Sequence, residues 1–473
     1  LIIDKYKLYF FIAYIFLSLV SLDFAIFNNI YHGELDIYIP HYLSNASIGK
    51  IIFDPICELD LTRMNFRGRE LGSFFNYLDI QILLIEFKLG IPLLLSVINY
   101  LAILGIAWVS VYATKIIMPN QVNITYLVII MLLSSPPIVF SGILYRTNKI
   151  IASLGLSIAL AFLIIRVICK RKDTHNPNNY LSLPIIFISS CMACLSDEQG
   201  LIFLILIGLN LIAITWLYKL NLKYELITII LAVFTYTIYI NYLGLNLFQY
   251  FNNLTPIKPT LHLGDLINYS NLRESLILLF RFINYLFGNL YVYGLYGNII
   301  TIIIFILANI FIIKKLPKDK IKNIYIIFIL NIIYILFVIH VMTIKHNAIF
   351  WKDIVTYYCL PITILIYLVF NTIVNYFYNI RILNFKNICS ILFAIIVLNL
   401  SSLNFYDQLI VNGHLKYFRS ANLIIRAVYL DDLESHKMIN HIRIKETVSG
   451  LIPGTKYGEN SIIALRKALQ INF

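Results

Sequence analysis

An all-helical protein that threads repeatedly through a membrane is the fold class this sequence predicts, and three observations predict it. Hydrophobic residues make up 60% of the 473 residues and charged ones only 13%, at a mean hydropathy of +0.82. Soluble domains hold roughly 45–50% apolar and about 25% charged residues. Apolar windows long enough to cross about 30 Å of hydrocarbon as helix recur along the chain. Lysine and arginine gather in the short connections between alternate windows, as the positive-inside rule requires.

Taken in order, the windows fall at 8–28, 90–112, 124–144, 150–168, 181–197, 201–218, 226–244, 297–313, 324–343, 355–376 and 388–404, about eleven spans. Lys5 and Lys7 precede the first. No small-residue cleavage site follows it, so it reads as a retained signal anchor with a cytoplasmic N-terminus. On the same side fall Lys115, the run Lys170, Arg171 and Lys172, then Lys219 and Lys223, the dense "KKLPKDKIK" from Lys314 to Lys322, and Arg381 with Lys386. Arg166 lies near one of these ends, where a long side chain snorkels to the surface. Residues 273–295 are apolar but hold Arg281 and only "YGN" before the next window. Counting them as a crossing would place the lysine-rich loop outside, so they read as an interfacial or re-entrant helix.

Four stretches then face the non-cytoplasmic side: a long first outer loop at about 29–89, the turns "YRTNK" and "SDEQG", a segment around 245–295, and a small C-terminal module at 405–473. The tail from Tyr406 has soluble-domain composition. The basic excess of +13 is spread through loops rather than gathered on one folded face, which argues against a nucleic-acid partner. Six cysteines, mostly inside apolar segments, imply no disulfide framework, and the CxxC of Cys191 and Cys194 has no second pair.

Acids are concentrated close to the first span. In the loop that follows it, "LDIYIPHYLSNASIGKIIFD" carries Asp36, Tyr38, Ala46, Gly49, Phe53 and Asp54 in an order that resembles the start of the first outer loop in the GT-C class of membrane glycosyltransferases. The resemblance covers this stretch and the topology. It implies a GT-C-like transmembrane catalytic domain over 1–404 that takes a sugar from a polyprenyl-phosphate donor and passes it to a glycan, lipid or protein acceptor. Inversion at the anomeric carbon then requires a carboxylate to accept the acceptor's proton and cations to receive the departing phosphate.

For the base, Asp36 is the first candidate and Asp23, nearer the end of the first span, the second; the competing reading of Asp36 is a solvated loop acid or a cap. Glu34 and Tyr38 stand beside it as sugar or acceptor ligands. "LTRMNFRGRELGSFFNYLD" offers Arg63, Arg67 and Arg69 to a phosphate, or else to lipid headgroups and the neighbouring Glu58, Asp60 and Glu70. Arg146 and Lys149 form a basic pair against the charge trend of the spans, suited to a carrier phosphate or to ordinary snorkelling. In "CLSDEQG", Glu198 would assist catalysis while Asp197 and Gln199 bind sugar or acceptor; Asp197 equally fits a helix cap. Trp351 would stack on a sugar ring or serve as an interfacial anchor.

No HxH, HExxH or DxD pair supports a protein-held metal, and no P-loop supports direct use of ATP. The sequence requires no cofactor and leaves a divalent metal open. The expected location is the bacterial plasma membrane, with the C-terminus non-cytoplasmic. Two other readings compete: a surface-polysaccharide polymerase or ligase acting on polyprenyl-linked glycans, and a transporter of lipid-linked substrate. The first usually carries its large loop late in the chain, and the second places ionisable groups near the bilayer midplane.

Overall fold

A computed structural model describes residues 48–53, 68–88, 96–135, 138, 147–172, 179–252, 272–279, 318–346, 360–379 and 384–411, with single helical positions at 299, 302, 303, 306, 310 and 314. All regular structure among them is helical. The helices are α1 (Ile48–Ile52), α2 (Glu70–Lys88), α3 (Val97–Ile117), α4 (Val122–Leu133), α5 (Asn148–Lys172) and α6 (Asn179–Ser196). They continue with α7 (Glu198–Tyr218), α8 (Lys223–Ile238), α9 (Gly244–Asn252), α10 (Lys318–His346), α11 (Leu360–Asn379) and α12 (Phe385–Val411). Six helical stretches are long and apolar enough to cross a bilayer: Val97–Ile117, Asn148–Arg171, Glu198–Tyr218, Lys223–Phe251, Ile321–Val341 and Leu360–Asn379. These long apolar helices mark the chain as a membrane protein.

Local chemistry sets the helix ends, and it moves two of the expected windows. The window expected to start at 90 begins instead at Val97, because the Ser96 hydroxyl accepts the Asn99 N–H at 3.2 Å and itself donates to the buried Asp79 of α2. Asp79 also accepts the Ile98 N–H at 3.0 Å, so one carboxylate ties α2 to the first turn of α3. In the window expected over 124–144, the first helix among the described residues is the 12-residue Val122–Leu133. Ser134 and Ser135 turn the chain there, with their hydroxyls on the Met131 and Leu132 carbonyls, and Pro136 and Pro137 follow in sequence. A proline supplies no N–H and disfavours helix in the residue before it, which an average hydropathy does not register. Conversely, α12 runs on to Val411, past the expected end at 404.

α5 lies at the centre. Of its membrane-length window 67% is buried, against 22% for Lys223–Phe251 and for Ile321–Val341, so α8 and α10 are peripheral. Leu156, Ala159 and Leu163 of α5 pack into one core with Ala193, Leu204, Ile229 and Ala232. Phe234 and Tyr242 in the α8 stretch, and Ile329 and Ile333 of α10, stay exposed, as lipid-facing side chains do. A second core joins α3, α4, α11 and α12 around Ile103, Ile129, Ile364 and Leu392. Polar contacts pin these contacts in register: Asn210 and Asn331 exchange amide hydrogen bonds at 3.0 and 2.8 Å between α7 and α10. Asn371 and Asn375 of α11 donate to Thr114 and Thr125, and Asn399 of α12 to the Met131 carbonyl.

Helices α5 to α8 run alternately up and down, so their ends meet in two groups. At one end stand Lys172, Asn179, Tyr218 and Lys223. There Arg166, expected to snorkel, is instead 6% exposed and locked: its Nε donates to Glu225 at 2.7 Å and its Nη1 to Ser182 at 2.7 Å. Lys170 adds bonds to Glu225 and to the Asn221 carbonyl. At the other end the starts of α5 and α7, the end of α6 and the start of α2 come together.

Candidate functional site

That second end carries the candidate site. The chain crosses from α6 to α7 through Asp197, extended at φ −156°, ψ 149°, whose carboxylate accepts the Gln199 N–H at 3.0 Å. It therefore caps α7, and Glu198 enters the first turn, where the helix dipole favours an acid. The same carboxylate is 1% exposed and holds Lys149, on the first turn of α5, with Nζ at 3.4 Å from each oxygen. The cap that the sequence sets beside sugar or acceptor binding is thus present, and the same side chain carries an ion pair with Lys149.

Arg69 completes the group from the segment before α2. Its Nε lies 3.9 Å from Asp197 and its Nη2 3.4 Å from Glu198, whose side chain remains 33% exposed. Two features bring α2 onto the ends of the other helices. Asn76 accepts the Thr147 N–H at 2.6 Å and hydroxyl at 2.7 Å, and donates to Asn148 at 2.8 Å. Gly72 gives the close approach: a Cβ there would stand 2.5 Å from the Ser196 carbonyl oxygen. Just upstream, Gly68 takes φ +63°, a conformation natural to glycine, and its carbonyl accepts the Tyr236 hydroxyl at 3.3 Å.

Glu70, which the sequence offers only as a pairing partner for the loop arginines, is the residue whose importance appears with the fold. It is 7% exposed, and among the described residues neither carboxyl oxygen has a partner at hydrogen-bond geometry. Burial pushes its pKa up to about 7, against the smaller opposing pull of its own backbone N–H and of the Tyr239 hydroxyl. Tyr239 opens a π-helical turn, Tyr239–Leu243, that links α8 to α9. Gln199, 3% exposed, has no hydrogen-bond partner for its Oε1 among the described residues.

Five of the residues singled out from sequence, Arg69, Lys149, Asp197, Glu198 and Gln199, therefore lie in one neighbourhood. The others, Asp23, Glu34, Asp36, Tyr38, Arg63, Arg67, Arg146 and Trp351, lie outside the described residues. Among the described residues, and with Glu70 neutral, the two cations and two carboxylates balance. Phosphate oxygens would suit the cations, whose contacts to carboxylate are long for charge-assisted bonds, and hydroxyl donors would suit the orphaned acceptors. Among the described residues no group of His, Cys, Asp or Glu could hold a metal ion, and Cys191 and Cys194 are free thiols of α6. No protein family, curated protein or solved structure was found to match the chain.

Proposed function

We propose that the chain is a GT-C-type membrane glycosyltransferase of about eleven spans, moving a sugar from a polyprenyl-phosphate donor to an acceptor on the non-cytoplasmic face of a bacterial plasma membrane. One observation carries the reading. Arg69 and Lys149, 80 positions apart in sequence, converge with Asp197 and Glu198 at the ends of membrane-length helices. A charged group so buried is costly unless it serves a ligand or a structural pair. In this reading the carrier phosphate competes with Asp197 and Glu198 for Lys149 and Arg69.

In this reading Lys149 and Arg69 hold the carrier phosphate, joined by Arg63, Arg67 and Arg146 from the neighbouring loops. Glu198 orients the acceptor, and Gln199 accepts a sugar hydroxyl through Oε1. Asp36, or Asp23 after it, accepts the acceptor's proton, with Glu34, Tyr38 and Trp351 about the sugar. As the acceptor oxygen attacks the anomeric carbon, the bond to the phosphate oxygen breaks, and the cations stabilise the charge that develops there.

The test is transfer of radiolabelled sugar from a panel of polyprenyl-phosphate sugars in membranes containing wild type, Lys149→Gln or Asp36→Asn at equal expression. Transfer by wild type is expected, with a kcat/KM loss of about 10²-fold or more for each variant. Consumption of no donor, with lipid-linked substrate moved across the membrane instead, would replace the transferase by a transporter.

A further inference from the structure

A cleft between α3, α5 and α11 belongs to no part of the site described above. It has a volume of about 380 Å³, counting the space at its mouth. Its α5 residues, Ala161 and Ile164, stand roughly 20 Å along the helix from Lys149, at 1.5 Å of rise per residue, so the cleft is a separate place. Ile117, Met118, Ile164 and Leu368 give it apolar surface, and Ser110, Thr114, Asn371, Thr372 and Asn375 give it polar surface. Among the described residues no charged side chain lines it.

The polar residues spend their protons on the protein and keep lone pairs. Ser110 donates to the Ile106 carbonyl at 2.9 Å and Thr372 to the Leu368 carbonyl at 3.1 Å, each bonding back one helical turn. Thr125 donates to Thr114 at 2.9 Å, and Thr114 to the Ser110 carbonyl at 3.0 Å. The Asn375 amide nitrogen is taken up by Thr125 and Asn371, while its Oδ1 has no partner among the described residues. Asn371 keeps a proton to offer, since its amide nitrogen carries two and donates to Thr114 at 3.1 Å. The lining is therefore uncharged and rich in acceptors, with one amide donor. Val369 and Ile373 flank Thr372 on α11 and are exposed, as lipid-facing side chains are.

We propose that this cleft binds an uncharged lipid of the diacylglycerol type, with its free hydroxyl and an ester carbonyl inside and its acyl chains running out past Val369 and Ile373. The hydroxyl donates to the oxygen of Ser110 or Thr372, and the ester carbonyl accepts from Asn371. A phosphate head is the wrong chemistry here. It brings charge and further acceptors to a lining that has no cation and hardly a donor to give them. A soluble polyol is no better suited, because the apolar residues leave most of its hydroxyls unmatched. The proposal does not depend on the transferase reading, and the two stand or fall separately.

The test places the full-length protein in phosphatidylcholine nanodiscs with a diacylglycerol that carries a diazirine in one acyl chain, irradiates, and maps the labelled peptides by mass spectrometry. Label is expected on the second half of α3 and on α11, and an excess of dioleoylglycerol should suppress it about tenfold. Dioleoyl phosphatidic acid, which has the same chains under a phosphate, should leave it in place. Thr372→Val, which removes one hydroxyl acceptor, should weaken binding about fivefold, the worth of one hydrogen bond. Ala113→Leu, at a half-buried position of the lining, should fill the cleft and remove the label. Equal suppression by phosphatidic acid would show an unselective lipid groove and overturn the proposal. So would label spread evenly over the lipid-facing helices, or label undiminished in both variants. The competition on wild type decides even where a variant fails to fold.

Discussion

The two ends of the α5–α8 bundle are closed by the same kinds of residue in opposite ways. At one, Glu225 is 0% exposed and meets Arg166 and Lys170 at 2.7 Å each, while Ser182 and the Asn221 carbonyl take further protons of the two cations, also at 2.7 Å. At the other, the cations reach their carboxylates at 3.4 to 3.9 Å, Glu198 keeps a third of its side chain in the open, and Glu70 has only the weak pull of its own backbone N–H and the Tyr239 hydroxyl. Short, saturated contacts leave nothing for a ligand to replace. Long, shared ones give weaker Coulomb attraction, and under the proposed transferase reading they are the contacts a phosphate would replace. The difference teaches that the same pairing of buried cation and carboxylate can be short and closed at one end of a bundle and longer and partly solvated at the other.

The strongest way to break the comparison is Glu225→Gln. It leaves Arg166 buried without its anion and is expected to cost about 3–5 kcal/mol of stability, read as a large fall in melting temperature or loss of folded protein. Arg166→Met added to Glu225→Gln should recover part of that loss, because the uncompensated charge is then gone. A melting temperature unchanged by Glu225→Gln alone would remove the distinction between the ends.

Much of this arrangement is legible in the sequence, and the illegible part has physical causes. Hydropathy and basic loops locate the helices α3, α5, α7, α8, α10 and α11 within several residues, because the bilayer imposes their length. "SGILYRTNKI" and "CLSDEQG" expose Lys149, Asp197 and Glu198, since a charge at the end of an apolar run is visible locally. Their convergence with Arg69 is not visible, because it depends on Gly72 and Asn76 docking α2 against α5 and α6. Arg166 shows the same limit: snorkelling is the fair expectation until Glu225, 59 residues away, is brought against it. Glu70 is hidden for another reason. Desolvation belongs to the folded surroundings, and a glutamate next to three arginines reads as an ion pair whatever its burial.

A medium effect separates Glu70 from every paired carboxylate. Its native pKa, raised from 4.5 to about 7, means that the folded protein keeps a proton that the unfolded chain gives up. The corresponding stability is fully present below pH 4.5 and is lost as the pH rises through about 7. Complete ionisation would therefore cost about 3 kcal/mol. Glu70→Gln, neutral at every pH, should melt close to wild type at pH 5 and above it at pH 8. Identical melting differences at both pH values would show that Glu70 is ionised in the folded state.

The smallest effect sharpens the contrast most finely. Glu198 is the counterpart of Glu225 at the open end, paired with Arg69 at 3.4 Å but 33% exposed. Water and counterions reach such a pair, and exposed ion pairs contribute about 0–1 kcal/mol. Glu198→Gln should accordingly lower stability by no more than about 1 kcal/mol, and added salt should shrink even that difference through screening. The cost of Glu225→Gln should instead persist in high salt, because ions do not penetrate to a fully buried carboxylate. Melting each variant beside wild type at low and high salt compares the two ends directly. A salt-insensitive loss of several kcal/mol at Glu198 would mean that its bond to Arg69 is a lock like that of Glu225, and that Arg69 is not available to a phosphate.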